Sequence, residues 1–404
     1  MPRYRAAWVL PIAAPPIRNG WVDVNHGLIT AVGAAAGSAR EPGRGEVDLG
    51  SRIVLPSLVN AHTHLELSVF RGQLPAASSM PQWAGELMAR TARVALDETA
   101  IRAAASEARR TGTGLVGDIS NTLASVAPLR DAGLASVVFK ELLGFDEHDP
   151  TGLVARTCAE LGQRGAENPR LRLAAHAPYS VSPALFAALR AAADRGRLWP
   201  LSVHVAESRE ELEFLRSGTG AWREILEARG RWDASWVSGT ASPVEYLDDL
   251  GWLGTRTLLV HGVQLTDAEL ARIARAGATL VTCPRSNRHT GAGNPPIARF
   301  HAAGVRLAVG TDSLASVADL NLFSELRAMR RLAPAVPAAA ILRSATLAGA
   351  AALGYGDALG VIAPGRRASL IAVACAAPVD DVEEYLVSGI RADQVTWLAA
   401  PGES

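Results

Sequence analysis

His62 and His64 stand one residue apart in Val59-Asn60-Ala61-His62-Thr63-His64-Leu65-Glu66, after the apolar run Ile53-Val54-Leu55 and a break at Pro56. In an extended strand alternate side chains point the same way, so both imidazoles project to one side. At that spacing they can hold one metal ion, or they can be two polar groups satisfied by backbone or water at a strand end. Other ionisable residues end apolar runs further along. His204 lies in Ser202-Val203-His204-Val205-Ala206-Glu207, His261 in Leu258-Leu259-Val260-His261-Gly262, and Asp312 in Val309-Gly310-Thr311-Asp312-Ser313. Each has a structural reading of its own: a histidine ending a strand or, for Asp312, the N-cap of a helix that follows. Taken together they make a cluster of His62, His64, His204 and Asp312, with His261 and Glu207 beside it. Imidazole and carboxylate oxygen suit Zn²⁺ or Fe²⁺, and an open coordination position leaves room for water.

Such a cluster needs elements that bring distant residues to one place. Eight short β-type runs end in polar residues: 58–64, 114–118, 135–141, 172–176, 201–207, 257–261, 279–283 and 306–312. Amphipathic stretches such as Asp97–Thr111, Pro183–Arg195 and Asp267–Ala276 separate them. Parallel strands need helical crossovers, so eight such units predict a (β/α)8 TIM barrel, an α/β fold with its chemistry at the C-terminal strand ends. Those ends carry His62, His64, Asp118, Glu141, His176, His204, Glu207, His261 and Asp312. Before the barrel, Ala7–Leu10, Gly20–Val24 and Leu28–Val32 read as strands, the last two joined by the turn Asn25-His26-Gly27. After Ala358 the helical pattern stops, and Gly360–Ile362, Ala368–Val373 and Gln394–Trp397 read as β again. The expected organisation is a small β-sandwich built from residues 1–55 and 359–404, flanking a barrel at 56–358.

The remaining composition narrows the function classes. The chain has 404 residues, 49% of them hydrophobic, with 40 basic and 40 acidic side chains. That length holds a large domain with an added module, and the charge balance favours neither nucleic acid nor an anionic membrane. Lys140 is the one lysine among the basic residues, which fits a coding bias. Cys158, Cys283 and Cys375 are far apart and lack metal-type spacing, which suits a reducing cytoplasm. No uncharged apolar run reaches the roughly 18–20 residues of a membrane helix. A poor signal peptide at Met1-Pro2-Arg3-Tyr4-Arg5 points the same way.

These residues and their order resemble the amidohydrolase superfamily, in its mononuclear deaminase and chlorohydrolase branch. His62-Thr63-His64, His204 with Glu207, His261 and Gly310-Thr311-Asp312-Ser313 carry the resemblance, and Cys283-Pro284-Arg285-Ser286-Asn287 adds to it. The resemblance implies that His62, His64, His204 and Asp312 ligate one divalent metal ion, Zn²⁺ favoured and Fe²⁺ accepted by the same ligands. It implies that Asp312 also takes a proton from the attacking water and that His261 polarises that water. Glu207 then shuttles a proton to a ring nitrogen and on to ammonia. Binuclear members carry a modified lysine on the fourth strand. Here the fourth run ends in His176 and Lys140 falls on the third, so one metal ion is expected.

For the substrate, His176 in Ala175-His176-Ala177-Pro178-Tyr179-Ser180 resembles a segment that contacts nucleoside hydroxyls, and is otherwise a strand-end structural residue. Glu66, two residues past the metal motif, is expected to face the same cavity and accept hydrogen bonds from a purine edge, or to be a solvated loop carboxylate. Trp83 is placed in the loop after the first strand, where it stacks on an aromatic ring or simply packs. His62–Ser68 and Gly310–Ser316 most resemble the aminodeoxyfutalosine deaminases, implying hydrolysis of 6-amino-6-deoxyfutalosine to futalosine and ammonia in menaquinone synthesis. Deamination of adenosine, 5′-substituted adenosines, guanine or another heterocycle, and dechlorination of a triazine, are alternatives; a non-catalytic binding protein on the same scaffold is another. The expected partner is a small-molecule substrate, with no nucleic acid and no membrane; a homodimer rests on family resemblance alone.

Overall fold

The computed structural model describes residues 2–34, 45–164, 168–237, 239, 242–375 and 379–398. Five strands precede the barrel: β1 (Arg3–Val9), β2 (Ile17–Asn25), β3 (Leu28–Ala34), β4 (Glu46–Asp48) and β5 (Arg52–Pro56). Eight follow, interleaved with helices: β6 (Leu58–Thr63), β7 (Thr113–Ser120), β8 (Ala135–Leu142), β9 (Arg170–Ala175), β10 (Leu201–Val205), β11 (Thr257–His261), β12 (Thr279–Thr282) and β13 (Arg306–Val309). The chain returns through β14 (Leu370–Ala374) and β15 (Val395–Trp397).

β6 to β13 pair in sequence order, each parallel to the next. Residues of β6, β7, β10, β11 and β12 are buried throughout. That is the signature of strands covered on both faces, the inner one by barrel side chains and the outer one by helices. The barrel is drawn together where its last strand meets its first. Asp312 N–H donates to the His62 carbonyl at 3.1 Å, and Thr311 N–H donates to Asn60 Oδ1 at 3.1 Å. Gly310 allows this approach: a Cβ there would lie 2.5 Å from the His62 carbonyl oxygen. The same contact that closes the barrel therefore sets the aspartate segment against the first histidine.

The flanking strands form a separate sheet in the order β15-β14-β5-β1-β2-β3, with β4 beside β1. β5 runs antiparallel to β14, pairing Leu55 with Ile371 and Val54 with Ala372, so the two ends of the chain share one sheet. Met1 and residues 399–404, at the outer limits of these two segments, lie outside the described residues.

Helix limits follow local signals. Asp97 caps Glu98–Arg110 by accepting from Thr99 and Ala100 N–H, and Thr266 with Glu269 makes a capping box on Asp267–Ala276. Three expectations change. Gly360–Ile362 is bend and irregular chain, not strand, with Ile362 N–H bonded to the Pro11 carbonyl outside any ladder. The tail carries a helix, Val382–Val387, capped by Asp381. No helix opens at Asp312: the next one begins at Leu322, capped by Asn321. Among the described residues no helix is long and apolar enough to cross a membrane.

Candidate active site

The barrel carries its ionisable residues on the C-terminal ends of its strands. His62 lies within β6 with His64 just past its end; His204 lies in β10, His261 ends β11, and Asp312 follows β13. All of these but His64 are buried. His62 Nε2 and His64 Nε2 approach to 3.2 Å. Asp312 Oδ1 is 3.7 Å from His64 Nε2 and 4.0 Å from His62 Nε2. The ligand atoms of His62, His64 and His204 all lie within 4.8 Å of one another. Two nitrogens sharing one tetrahedral Zn²⁺, with bonds of about 2.0–2.1 Å, sit roughly 3.3 Å apart. The donor set thus fits one cation of that size.

Protonation agrees with that fit. Burial pushes His62 well below the usual imidazole range, reinforced by the rings of His64, His204 and His261. Burial also lowers His204 to about 3 and His261 to about 4. Neutral imidazoles keep a lone pair for a metal. His204 Nδ1 donates to the His176 carbonyl at 2.7 Å, which leaves its Nε2 able to ligate a cation. Asp312 is buried, which disfavours its charge, yet the His64 and His261 rings and the Ser286 hydroxyl hold its carboxyl below the usual range.

A second group able to hold a cation, Glu141 with His176 and His204, shares His204 with the first. Because Nδ1 of His204 is committed to a backbone carbonyl, that ring cannot serve both. Lys140 lies on the third barrel strand, β8, as the sequence count has it, and its Nζ donates to the Asn121 carbonyl at 2.6 Å.

Three positions in or beside this cluster carry backbone strain. Ala206, His261 and Asp312 have φ of +49°, +77° and +60°. Left-handed backbone costs a residue with a Cβ roughly 1–2 kcal/mol. Specific bonds hold them there. Glu211 accepts Ala206 N–H at 2.8 Å and Glu207 N–H at 2.9 Å, one on each carboxyl oxygen. Ser286 Oγ donates to Asp312 Oδ2 at 2.5 Å. Asn287 Nδ2 donates to His261 Nδ1 at 2.9 Å, so the ring proton is on Nε2. That Nε2 lies 3.7 Å from Glu207 Oε2. Burial, with Asp312 and Glu211 nearby, raises the Glu207 carboxyl well above its ordinary range, the state of an acid that holds a proton to give.

A cavity of about 910 Å³ opens over this floor. His64, His204, Glu207, His261 and Asp312 line it, as do His176 and Trp83. His176 Nδ1 bonds Ser180 Oγ at 2.6 Å, which fixes its ring. Trp83 belongs to the Met80–Thr91 helix and not to a loop; it packs with Phe70, Leu74 and Ala315 while its Nε1 has no hydrogen-bond partner among the described residues.

Glu66 corrects the sequence reading. Residues 65–70 form a 3-10 turn and not a strand, so the alternation that would aim it at the cavity ends at His64. Its carboxylate instead accepts from Asn121 N–H at 2.9 Å, Thr122 Oγ1 at 2.7 Å and Ala124 N–H at 3.1 Å, and also from Ser120 Oγ. It ties down the loop after β7. Glu141 was left without a role by the sequence, although it ends the third strand in phase with the histidines. It lines the cavity, is 5% exposed, and its Oε1 has no hydrogen-bond partner among the described residues. Asp118 lies underneath, accepting Leu65 N–H at 2.9 Å, and burial raises it to about 8.

The chain matches the model of the amidohydrolase family over residues 53–390. It is 37% identical, over 75% of its length and 73% of the other protein's, to an aminodeoxyfutalosine deaminase of Deinococcus radiodurans. Its fold superposes on an aminofutalosine deaminase of Helicobacter pylori in complex with methylthio-coformycin, with a TM-score of 0.84 at 27% identity, covering 96% of this chain and 95% of that one. An adenosine deaminase of Xanthomonas campestris with bound zinc superposes with a TM-score of 0.81 at 29% identity, covering 98% and 90%.

Proposed function

This chain belongs to the amidohydrolase family and is an enzyme that hydrolyses carbon–nitrogen bonds in cyclic amidines, and we propose that it deaminates 6-amino-6-deoxyfutalosine to futalosine in menaquinone synthesis. The observation that carries the chemistry is the convergence of His62, His64, His204 and Asp312 on one point, with Glu207 and His261 beside it. The futalosine substrate is supported by the named activities of the Deinococcus and Helicobacter relatives. The second reading, deamination of adenosine, draws on the named activity of the Xanthomonas relative. We assign residues 1–55 and 359–404 to a flanking unit and 56–358 to the catalytic barrel, and we place the protein in the cytoplasm.

His62, His64, His204 and Asp312 would hold one divalent cation, Zn²⁺ favoured over Fe²⁺. When bound, that cation supplies the Lewis acidity that makes water a nucleophile near neutral pH. Asp312 accepts a proton from the water as it adds to the amino-bearing ring carbon. His261 contributes its Nε2–H, directed by Asn287, to orient the water. Glu207 delivers its proton to the neighbouring ring nitrogen, takes up the remaining proton of the added hydroxyl and passes it to the amine, which leaves as ammonia, and the proton held by Asp312 then restores Glu207. One water is consumed and one ammonia released. His176 and Trp83 line the space around the nucleoside.

Ammonia release with its ultraviolet shift, measured on 6-amino-6-deoxyfutalosine, adenosine, methylthioadenosine, S-adenosylhomocysteine, guanine and a chlorotriazine, tests the reading. The expected result is a kcat/KM of about 10⁴ M⁻¹s⁻¹ or more on the futalosine compound alone. Equal rates on several adenosines would replace it with a broad nucleoside deaminase. His62→Ala should lower metal content in the same preparations; unchanged occupancy would remove the ligand assignment.

A further inference from the structure

The cavity extends well past the reacting groups. Its two sides are helices, Met80–Thr91 and Ala221–Ala228. The first lines it with Met80, Trp83, Leu87 and Met88, which recur at helical spacing on one face. The second lines it with Trp222, Ile225, Leu226 and, as the residue that ends the helix, Arg229, again at i, i+3, i+4 and i+7. Exposure rises along that stripe, from buried Trp222 through half-buried Ile225 and Leu226 to exposed Arg229. The cavity therefore has an apolar helical wall that ends at an exposed guanidinium.

The inner end of the stripe is tied to the reacting centre. Trp222 stacks on Tyr179, with ring centroids 3.9 Å apart, and Tyr179 meets His176 edge-on at 5.8 Å. Trp222 Nε1 also donates to the hydroxyl of Ser208, the residue after Glu207, at 3.4 Å. Trp222 and Arg229 are seven helical steps apart, a rise of about 10 Å. A purine nucleoside with its ring at the floor leaves this length for whatever its ribose carries.

The charges at the mouth are unequal. Arg231 is engaged by Asp146 at 3.3 Å. Glu147 turns its Oε1 to Asp149 N–H at 2.8 Å. Arg229 also lines the cavity, and its guanidinium has no hydrogen-bond or ion-pair partner among the described residues. The platform beneath is firm. Phe145 stacks on Trp232 with centroids 5.5 Å apart, and the Arg223 guanidinium lies over the Trp232 ring at 4.6 Å.

Resting on the deaminase reading above, we propose that Arg229 anchors a carboxylate at the far end of an extended, apolar, ring-bearing arm on the 5′ side of the nucleoside. A guanidinium meets a carboxylate through paired hydrogen bonds, and aliphatic and aromatic walls suit a rigid apolar spacer. Methylthioadenosine carries no such charge and ends well short of the mouth, whereas futalosine carries a carboxylate on a benzene ring at the end of its arm. Arg229 is thus a specificity-determining residue, distinct from the proton-transfer groups.

The test uses the metal-loaded full chain and the reaction product, so that binding is read without turnover. Calorimetric titration with futalosine and with its methyl ester compares the charged and neutral ends of one arm. The acid should bind about tenfold tighter than the ester, the size of one charge-assisted pair partly open to water. Arg229→Gln should erase that preference and Arg229→Lys should keep part of it. Equal affinity for acid and ester in the wild type, a preference that survives Arg229→Gln, or binding of neither compound each overturns the assignment. Ammonia release from 6-amino-6-deoxyfutalosine separates the two readings. Turnover without an acid preference removes only the arginine anchor, and an acid preference without turnover removes the reaction while leaving the anchor in place.

Discussion

At the floor of the cavity, His62, His204, His261 and Asp312 arrive from four different strand ends, and bonds to residues elsewhere in the chain fix most of them. Asn287 holds His261, Ser286 holds Asp312 and the His176 carbonyl holds His204. Along the walls, two helices supply Met80, Leu87, Ile225 and Leu226, apolar side chains that make no directional bond. The floor therefore defines positions to a fraction of an ångström, as bond-making chemistry requires. The walls define a shape and a length, which a few substitutions can alter without disturbing the reaction. Strain follows the same division: left-handed φ at Ala206, His261 and Asp312 belongs to the floor.

The sharpest way to break this contrast is Glu207→Gln. It preserves shape and removes the proton carrier, so kcat should fall by about 10²–10⁴-fold, the usual share of general acid–base catalysis, with metal content unchanged. Near-normal turnover would take Glu207 out of the reaction.

Glu211→Gln should have an intermediate effect. An amide cannot accept both Ala206 and Glu207 N–H, so one buried donor loses its partner at about 1–3 kcal/mol. Glu207 should then be less well placed, and kcat should fall more than KM rises. Stability against pH provides an independent readout. Burial raises Glu211 from 4.5 to about 8, against the pull of the two backbone N–H groups. A folded state that keeps a proton the unfolded chain has released loses stability as pH rises through that interval. The wild type should therefore shed stability between about pH 4.5 and 8 in urea unfolding, and the variant should lack that part of the slope. Identical slopes would show that Glu211 is ionised in the fold.

The smallest effect belongs to the wall. Ile225→Ala should raise KM several-fold, in line with about 1 kcal/mol for a half-buried side chain, and leave kcat near its starting value. A matching loss in kcat would mean that wall and floor are coupled.

Much of the floor was legible in the sequence because its demands are chemical and local. A pair of histidines on alternate strand positions, and polar residues ending apolar runs, stay recognisable however the strands are later arranged. Glu66 shows where that reading stops. Period-two alternation holds only while the backbone stays extended, and the turn at 65–70 redirected its carboxylate into the loop at 120–124. Asp312 shows the same limit from the other side. The Asp-Ser pair resembled a helix cap, but the helix waits until Leu322 because the segment is drawn across to His62.

By itself, then, the sequence determined the eight-unit alternation of strand and helix, the residues able to bind a metal or move a proton, and the order in which they occur. Those properties depend on side-chain type and on spacing within a few residues. Tertiary structure alone decided that Gly310 lets the last barrel strand press against the first, that Glu141 lines the cavity with an oxygen that has no hydrogen-bond partner among the described residues, and that the stripe from Trp222 to Arg229 faces the same cavity as Glu207. Each of these joins segments far apart in the chain. Their juxtaposition follows from how the barrel closes and how its helices pack, which no local pattern records.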